Sequence, residues 1–163
     1  MDIGIHCEEG TFKLRSTGVI VKDGKMLVAK SRRFDGFVFF GGHIMLGENS
    51  RDAMLREAKE ELGFDVVIKK LICINENLFP LPDSNMIAHE VAFYYLLEPK
   101  EDIDLNDYQH IEVENGHEYL HKYYWIDIDK ASEYNVRPHW LADFILEDKE
   151  NYYHFSDQVK NKD

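Results

Sequence analysis

The stretch LREAKEELG, residues 55–63, constrains this chain more than any other. Its Leu, Ala, Lys, Glu and Arg are strong helix formers, and Gly63 is placed to close the helix with a left-handed cap. Asn49 or Ser50 can cap the other end. At about 100° per residue, Leu55, Ala58 and Leu62 form one stripe, while Glu57, Glu60 and Glu61 fall on roughly the opposite side. Like charges three and four positions apart repel by roughly a few tenths of a kcal/mol per pair. Two readings account for the crowding. One is a solvated face on which Arg56 and Lys59 soften the repulsion. The other is a site for a hard divalent cation, which makes clustered carboxylates favourable.

The surrounding sequence supplies a sheet. STGVIVKDGKMLVAKS reads as two short strands joined at Asp23-Gly24, a strong hairpin signal. FVFFGGHI is a further extended piece ending in a double glycine. FDVVIKKLICI, IAHEVAFYYLLE and KYYWIDI read as strands from their β-branched and aromatic content. RPHWLADFILED reads as a second helix opened by Pro138. The acidic segment EPKEDIDLNDYQHIEVENGHE is too polar for a core and is expected to be an exposed loop. Strands interleaved with helices predict an α/β protein with a mixed sheet between helices.

The 163 residues suit one domain with a real core. A net charge of −12 argues against polyanionic partners, so neither nucleic acid nor an acidic membrane surface is expected. A small anionic substrate held by local cations and a metal stays compatible with that charge. Cys7 and Cys73 fit neither a zinc spacing nor a disulfide framework. No stretch approaches the roughly 18 apolar residues of a membrane span, and MDIGIHCEEG lacks the pattern of a secretory signal. The chain is therefore expected to be soluble and cytoplasmic.

The spacing around the helix chooses between the two readings of its glutamates. Gly42 is followed by five residues and Glu48, then seven residues and Arg56-Glu57, Ala58, Lys59, Glu60-Glu61, Leu62, Gly63 and Phe64. This resembles the Nudix box, the motif of hydrolases that cleave nucleoside diphosphates linked to another moiety. Every charged and glycine position of the motif is present, and Ala58 replaces its bulkier aliphatic residue. The resemblance extends over roughly 16–145 and implies one Nudix domain across 1–163, with the box at 42–64 and a C-terminal tail from about 147. It implies a Nudix-fold α/β/α sandwich with a mixed β-sheet.

The resemblance also implies a hydrolase dependent on Mg²⁺, with Mn²⁺ as the alternative. Glu57, Glu60 and Glu61 would be metal ligands, joined by a main-chain carbonyl at Gly41 or Gly42. Glu48 and Arg56 would brace the loop against the helix. The double glycine suits a backbone that must approach metal and phosphate closely. The general base is a box glutamate or one of Glu112, Glu114 and Glu118. Arg32 and Arg33 are candidate phosphate contacts, and Phe79, Tyr94 or Trp140 a candidate stacking surface for a base. Substrates of the family include ADP-ribose, toward which Pro80 points although Pro82 beside it also suits an ordinary loop, as well as nucleoside triphosphates, dinucleoside polyphosphates and nucleotide sugars. A nucleotide-binding regulatory domain without activity is the alternative, although such domains commonly lose box carboxylates that this chain keeps. The aromatic C-terminal region is a candidate homodimer surface.

Two positions depart from the family pattern. Met45 stands where a glutamate is frequent, which removes one carboxylate from the loop, and Phe40 replaces a frequent proline. HEYLH, residues 117–121, matches the zinc-peptidase pattern HExxH, but that chemistry requires a helix. Gly116 before it and KYYWIDI after it predict strand or loop instead. His89 and His139 are expected to be structural.

Overall fold

The computed structural model describes residues 1–81, 85–114, 116–147 and 153–158, with the side chains of Glu114 and of 153–158 outside the description. Its elements are β1 (Gly4–His6), β2 (Gly10–Lys22), β3 (Lys25–Lys30), β4 (Phe37–Val38), β5 (Gly41–His43), α1 (Ser50–Leu62), β6 (Val66–Pro80), β7 (Ile87–Pro99), β8 (Tyr108–Glu114), β9 (His117–Asp127), β10 (Val136–Arg137), α2 (Leu141–Leu146) and β11 (Tyr153–Gln158). A 3₁₀ helix spans Ile128–Tyr134.

The strands form a mixed sheet in the order β10-β4-β3-β2-β7-β6-β11, with β9 also paired to β3 and β8 to β9. β2 organises it. Its first part runs parallel to β7 from Gly10↔Ile87 to Ile20↔Leu97, its middle takes β5 antiparallel, and its end turns into β3. The β2–β3 turn falls at Asp23-Gly24 as predicted, with φ of 50° and 74° at the two residues. Two positive φ values in succession match the right-handed twist of the flanking strands.

Period-two alternation along β2 divides the core. Ile20 joins Leu27, Phe40, Tyr95, Leu97 and Tyr123 beneath Met54, Ala58 and Leu62 of α1. Val19 faces the other side, with Cys73, Tyr94, Leu141 and Phe144. Helical elements thus cover both faces of one curled sheet, which is the expected α/β/α arrangement.

Three expectations need correction. Leu55 is 41% exposed, whereas Ala53 and Met54 are fully buried. The helix is rotated so that its buried stripe runs through Ala53, Met54, Glu57, Ala58 and Leu62. The carboxylates of Glu57 and Glu61 therefore turn toward the sheet rather than away from it. Second, the acidic segment is not all loop: Tyr108–Glu114 forms β8, in antiparallel register with β9. The ladder satisfies backbone groups that the polar composition alone assigned to water. Third, the second helix is shorter than predicted and begins at Leu141. Pro82 and much of the tail beyond Glu147 lie outside the described residues.

Candidate active site

Capping sets the start and end of α1. Asn49 is the N-cap, its Oδ1 accepting from Arg51 N and Asp52 N at 3.0 Å each. Gly63 closes the helix at φ 84°. Ser16 Oγ of β2 donates to Ser50 O at 2.8 Å, and Ser50 Oγ lies 2.7 Å from Tyr95 Oη. These bonds pin the first turn to the sheet. The next turns then carry Glu57 and Glu61 against the double glycine.

Gly41 and Gly42 are there for contact. Gly41 has φ 130°, and a Cβ on it would stand 2.2 Å from Ser16 O. Its amide donates to Glu61 Oε2 at 3.0 Å. A Cβ on Gly42 would lie 2.4 Å from Glu57 Oε2, so only glycine leaves room for that carboxylate. Gly41 O accepts from Arg15 Nη2 at 2.6 Å, and Arg15 Nη1 reaches Glu90 at 3.3 Å. Burial opposes the charge on Arg15, but Glu90, Tyr94 and Glu61 more than offset it.

Arg56 is the hub of the box. Its Nε and Nη2 grip Glu48 at 2.9 and 3.0 Å. Its Nη1 donates to Glu57 at 2.7 Å and to Glu60 at 2.9 Å, and Nη2 also reaches His43 O at 3.0 Å. A planar fork with five N–H groups can serve all these acceptors, which a lysine cannot. The bond to Arg56 holds the Glu48 carboxyl below its ordinary pKa.

Burial dominates the titration of the inner pair. Glu57 is pushed up to about 7 by desolvation, against the opposing pull of Arg56, with Glu60 and Glu112 adding repulsion. Glu61 is pushed up to about 8 by desolvation, partly offset by the Gly41 amide, with Glu57 and Glu112 again raising it. Burial thus favours the neutral acids, and the mutual repulsion of Glu57 and Glu61 adds to it.

β8 and β9 add a second group. Glu112 lies diagonal to His121 across the hairpin, since His110 faces His121 and Glu112 faces Tyr119. His121 Nε2 and Glu112 Oε2 are 2.9 Å apart, with each side chain 14% exposed. Burial lowers the imidazole pKa, against the attraction of Glu112. Donor atoms of Glu61, Glu112 and His121 all lie within 4.8 Å of one another. Tyr123 Oη donates to Glu61 O at 3.0 Å, and its ring stacks between His121 and Tyr108.

The predicted residues thus separate. Glu57, Glu61, Gly42 and Glu112 converge, and Arg56 with Glu48 lies behind them. Glu60 is at the margin, with a side chain 43% exposed and held by Arg56. Glu118 is exposed, and the side chain of Glu114 lies outside the description. Arg32 leans on the hairpin, donating to Leu120 O at 3.2 Å and lying over the Tyr119 ring. Arg33 stands close enough to Lys13 to depress its pKa, after burial the largest such effect. His117 and His121 sit on strand β9, about 13 Å apart along it, so HEYLH cannot chelate zinc as a helix would. Arg15, Tyr123 and His121 escaped the sequence reading as site residues. His121 was visible only inside the misleading HEYLH pattern, because its partner is set by strand register.

The NUDIX domain model matches residues 13–146. An ADP-ribose pyrophosphatase from Methanocaldococcus jannaschii is 32% identical over 84 residues, 50% of this chain and 47% of that protein. The match therefore spans about half the length of that relative. In fold, the chain is similar to the MutT protein from Bacillus halodurans, with TM-score 0.58, 17% identity and coverage of 88% of this chain and 89% of that one. It is also similar to a NUDIX-family hydrolase from Clostridium perfringens, with TM-score 0.55, 18% identity and coverage of 84% and 98%. The family match covers the sheet, the double glycine and the glutamate helix together, and the chain belongs to the Nudix hydrolase family.

Proposed function

We propose that this Nudix hydrolase uses a divalent cation, Mg²⁺ or Mn²⁺, to cleave the diphosphate linkage of a nucleoside diphosphate derivative, with ADP-ribose as the leading candidate. The observation that carries the reading is the convergence of Glu57 and Glu61 on Gly41 and Gly42, where a side chain on Gly42 would occupy the space of the Glu57 carboxylate. The donors are hard oxygens on a rigid helix one turn apart, which suits such an ion. Glu57 and Glu61 would hold it, with a main-chain carbonyl of Gly41 or Gly42, and Glu60 at the edge of the set. A bound divalent ion supplies the positive charge that draws in a diphosphate and acidifies water.

The protein's own groups do the rest. Arg56, locked to Glu48, holds the Glu57 carboxylate in place. Glu112 is the downstream glutamate that lies beside Glu61, and it is assigned to accept the proton of the attacking water. The exposed Arg32 and Arg33 are the candidate phosphate contacts. The ADP-ribose assignment draws on the archaeal pyrophosphatase relative and on Pro80 at the end of β6.

The test is phosphate or nucleotide release, with and without Mg²⁺, from ADP-ribose, nucleoside triphosphates, nucleotide sugars and dinucleoside polyphosphates. Metal-dependent turnover of ADP-ribose above the others is the expected result. Turnover of triphosphates alone would replace the substrate assignment. If a nucleotide raised the Tm and none was cleaved, the regulatory binding domain would take its place.

A further inference from the structure

A second feature of the site is chemical rather than geometric. The box supplies only oxygen donors, yet an imidazole nitrogen stands among the carboxylates. His121 Nε2 comes from β9, Glu112 from β8 and Glu61 from α1, and the donor atoms gather within 4.8 Å although the three residues lie far apart in sequence. Two donors each about 2.1 Å from one ion at a right angle lie about 3.0 Å apart. The 2.9 Å between His121 Nε2 and Glu112 Oε2 matches that separation, and it is equally the length of a hydrogen bond between them. Nearby, the buried phenolic oxygen of Tyr108 has no hydrogen-bond partner among the described residues, and its ring stacks at 4.9 Å on Tyr123. Tyr123 in turn holds the backbone of Glu61.

We propose that Glu61, Glu112 and His121 form a distinct cation position with one nitrogen and two oxygen donors, which prefers a borderline ion such as Mn²⁺ or Co²⁺ to Mg²⁺. The inference rests on the proposed reading of Glu61 as a metal-binding carboxylate. An imidazole donor strengthens binding along the series from Mn²⁺ toward Co²⁺ and beyond, whereas Mg²⁺ gains little from nitrogen. Glu61 would be shared between this position and the one it forms with Glu57. Glu112 keeps both its roles, since one oxygen can face the ion while the other accepts a proton.

The alternative is that His121 only orients Glu112 through its hydrogen bond. Glutamine separates the two, because it can still donate to Glu112 but brings no imidazole nitrogen. Pulsed EPR of the Mn²⁺-loaded protein should show ¹⁴N coupling from a coordinated imidazole, and His121→Gln should abolish it. Calorimetric titration should find Mn²⁺ binding weakened about tenfold in His121→Gln, and Mg²⁺ binding changed less than about twofold. Absence of ¹⁴N coupling in the wild-type protein overturns the proposal without any variant. So does coupling that persists in His121→Gln, which would assign it to another histidine such as His43. These readouts need no substrate. Failure of the hydrolase reading would appear as bound metal with no turnover, and failure of this proposal as turnover with an all-oxygen ion.

Discussion

The two ends of the carboxylate cluster differ in how their charge is balanced. On one side Glu48, Glu57 and Glu60 share Arg56, whose fork bonds all three within 3.0 Å. On the other, Glu61 bonds the Gly41 amide and feels the charge of Arg15, with Glu112 and His121 close by. The first side carries its own cation and acts as a brace. The second is an anionic recess, where the proposed divalent cation would sit. Changing Arg56 on the braced side should therefore cost stability, and changing Glu61 on the open side should cost ion binding and chemistry.

The largest expected effect is on the open side. Glu61→Gln should lower kcat by roughly two orders of magnitude or more, about 3 kcal/mol in the barrier, while the fold survives. Steady-state kinetics with circular dichroism as a control would check this, and near-normal turnover would remove Glu61 from the site. The braced side should respond in stability. Arg56→Lys keeps the charge but cannot fork onto Glu48, Glu57 and Glu60 at once, and should cost about 2 kcal/mol, moderated by partial exposure. Urea denaturation would show it as a lower midpoint; an unchanged midpoint would mean that the brace adds nothing.

A third difference is in pH. Glu57 and Glu61 titrate near 7 and 8 in the fold against 4.5 in an unperturbed chain, so the metal-free fold binds more protons than the unfolded chain in that interval. Its stability should be highest at or below about pH 4.5 as far as these two groups decide it, and should fall as pH rises through their folded pKa values. Divalent ion should reverse the trend, raising Tm more at pH 8 than at pH 5.5, because binding must displace the protons at the lower pH. Melting curves in Mg²⁺ and in EDTA at both values would sharpen the comparison. A metal effect independent of pH would place the ion elsewhere.

Much of the local structure around the candidate site is legible in the sequence. The helix over 50–62, its caps at Asn49 and Gly63, the Asp23-Gly24 hairpin and the glutamate spacing are local properties, set by propensity, turn chemistry and the helical period. The brace of Glu48 and Arg56 was legible too, through the motif. The inward turn of Glu57 was not, because an α-helix of mixed composition can bury either of two stripes. Leu55 suggested the wrong one, and the contacts with β2 and the double glycine chose the other. Nor was β8 legible, since its charged residues conceal a strand whose partner supplies every ladder bond.

The sequence by itself determined that this chain presents clustered carboxylates behind a double glycine, and so that it is a Nudix protein. Composition and spacing suffice for that, because both act over a few residues. Only the tertiary structure decided which carboxylates meet, which of them are tied up by Arg56, and that Glu112 and His121 join Glu61. Those outcomes depend on strand register and on the rotation of one helix against a sheet, and both are set by packing between segments distant in sequence.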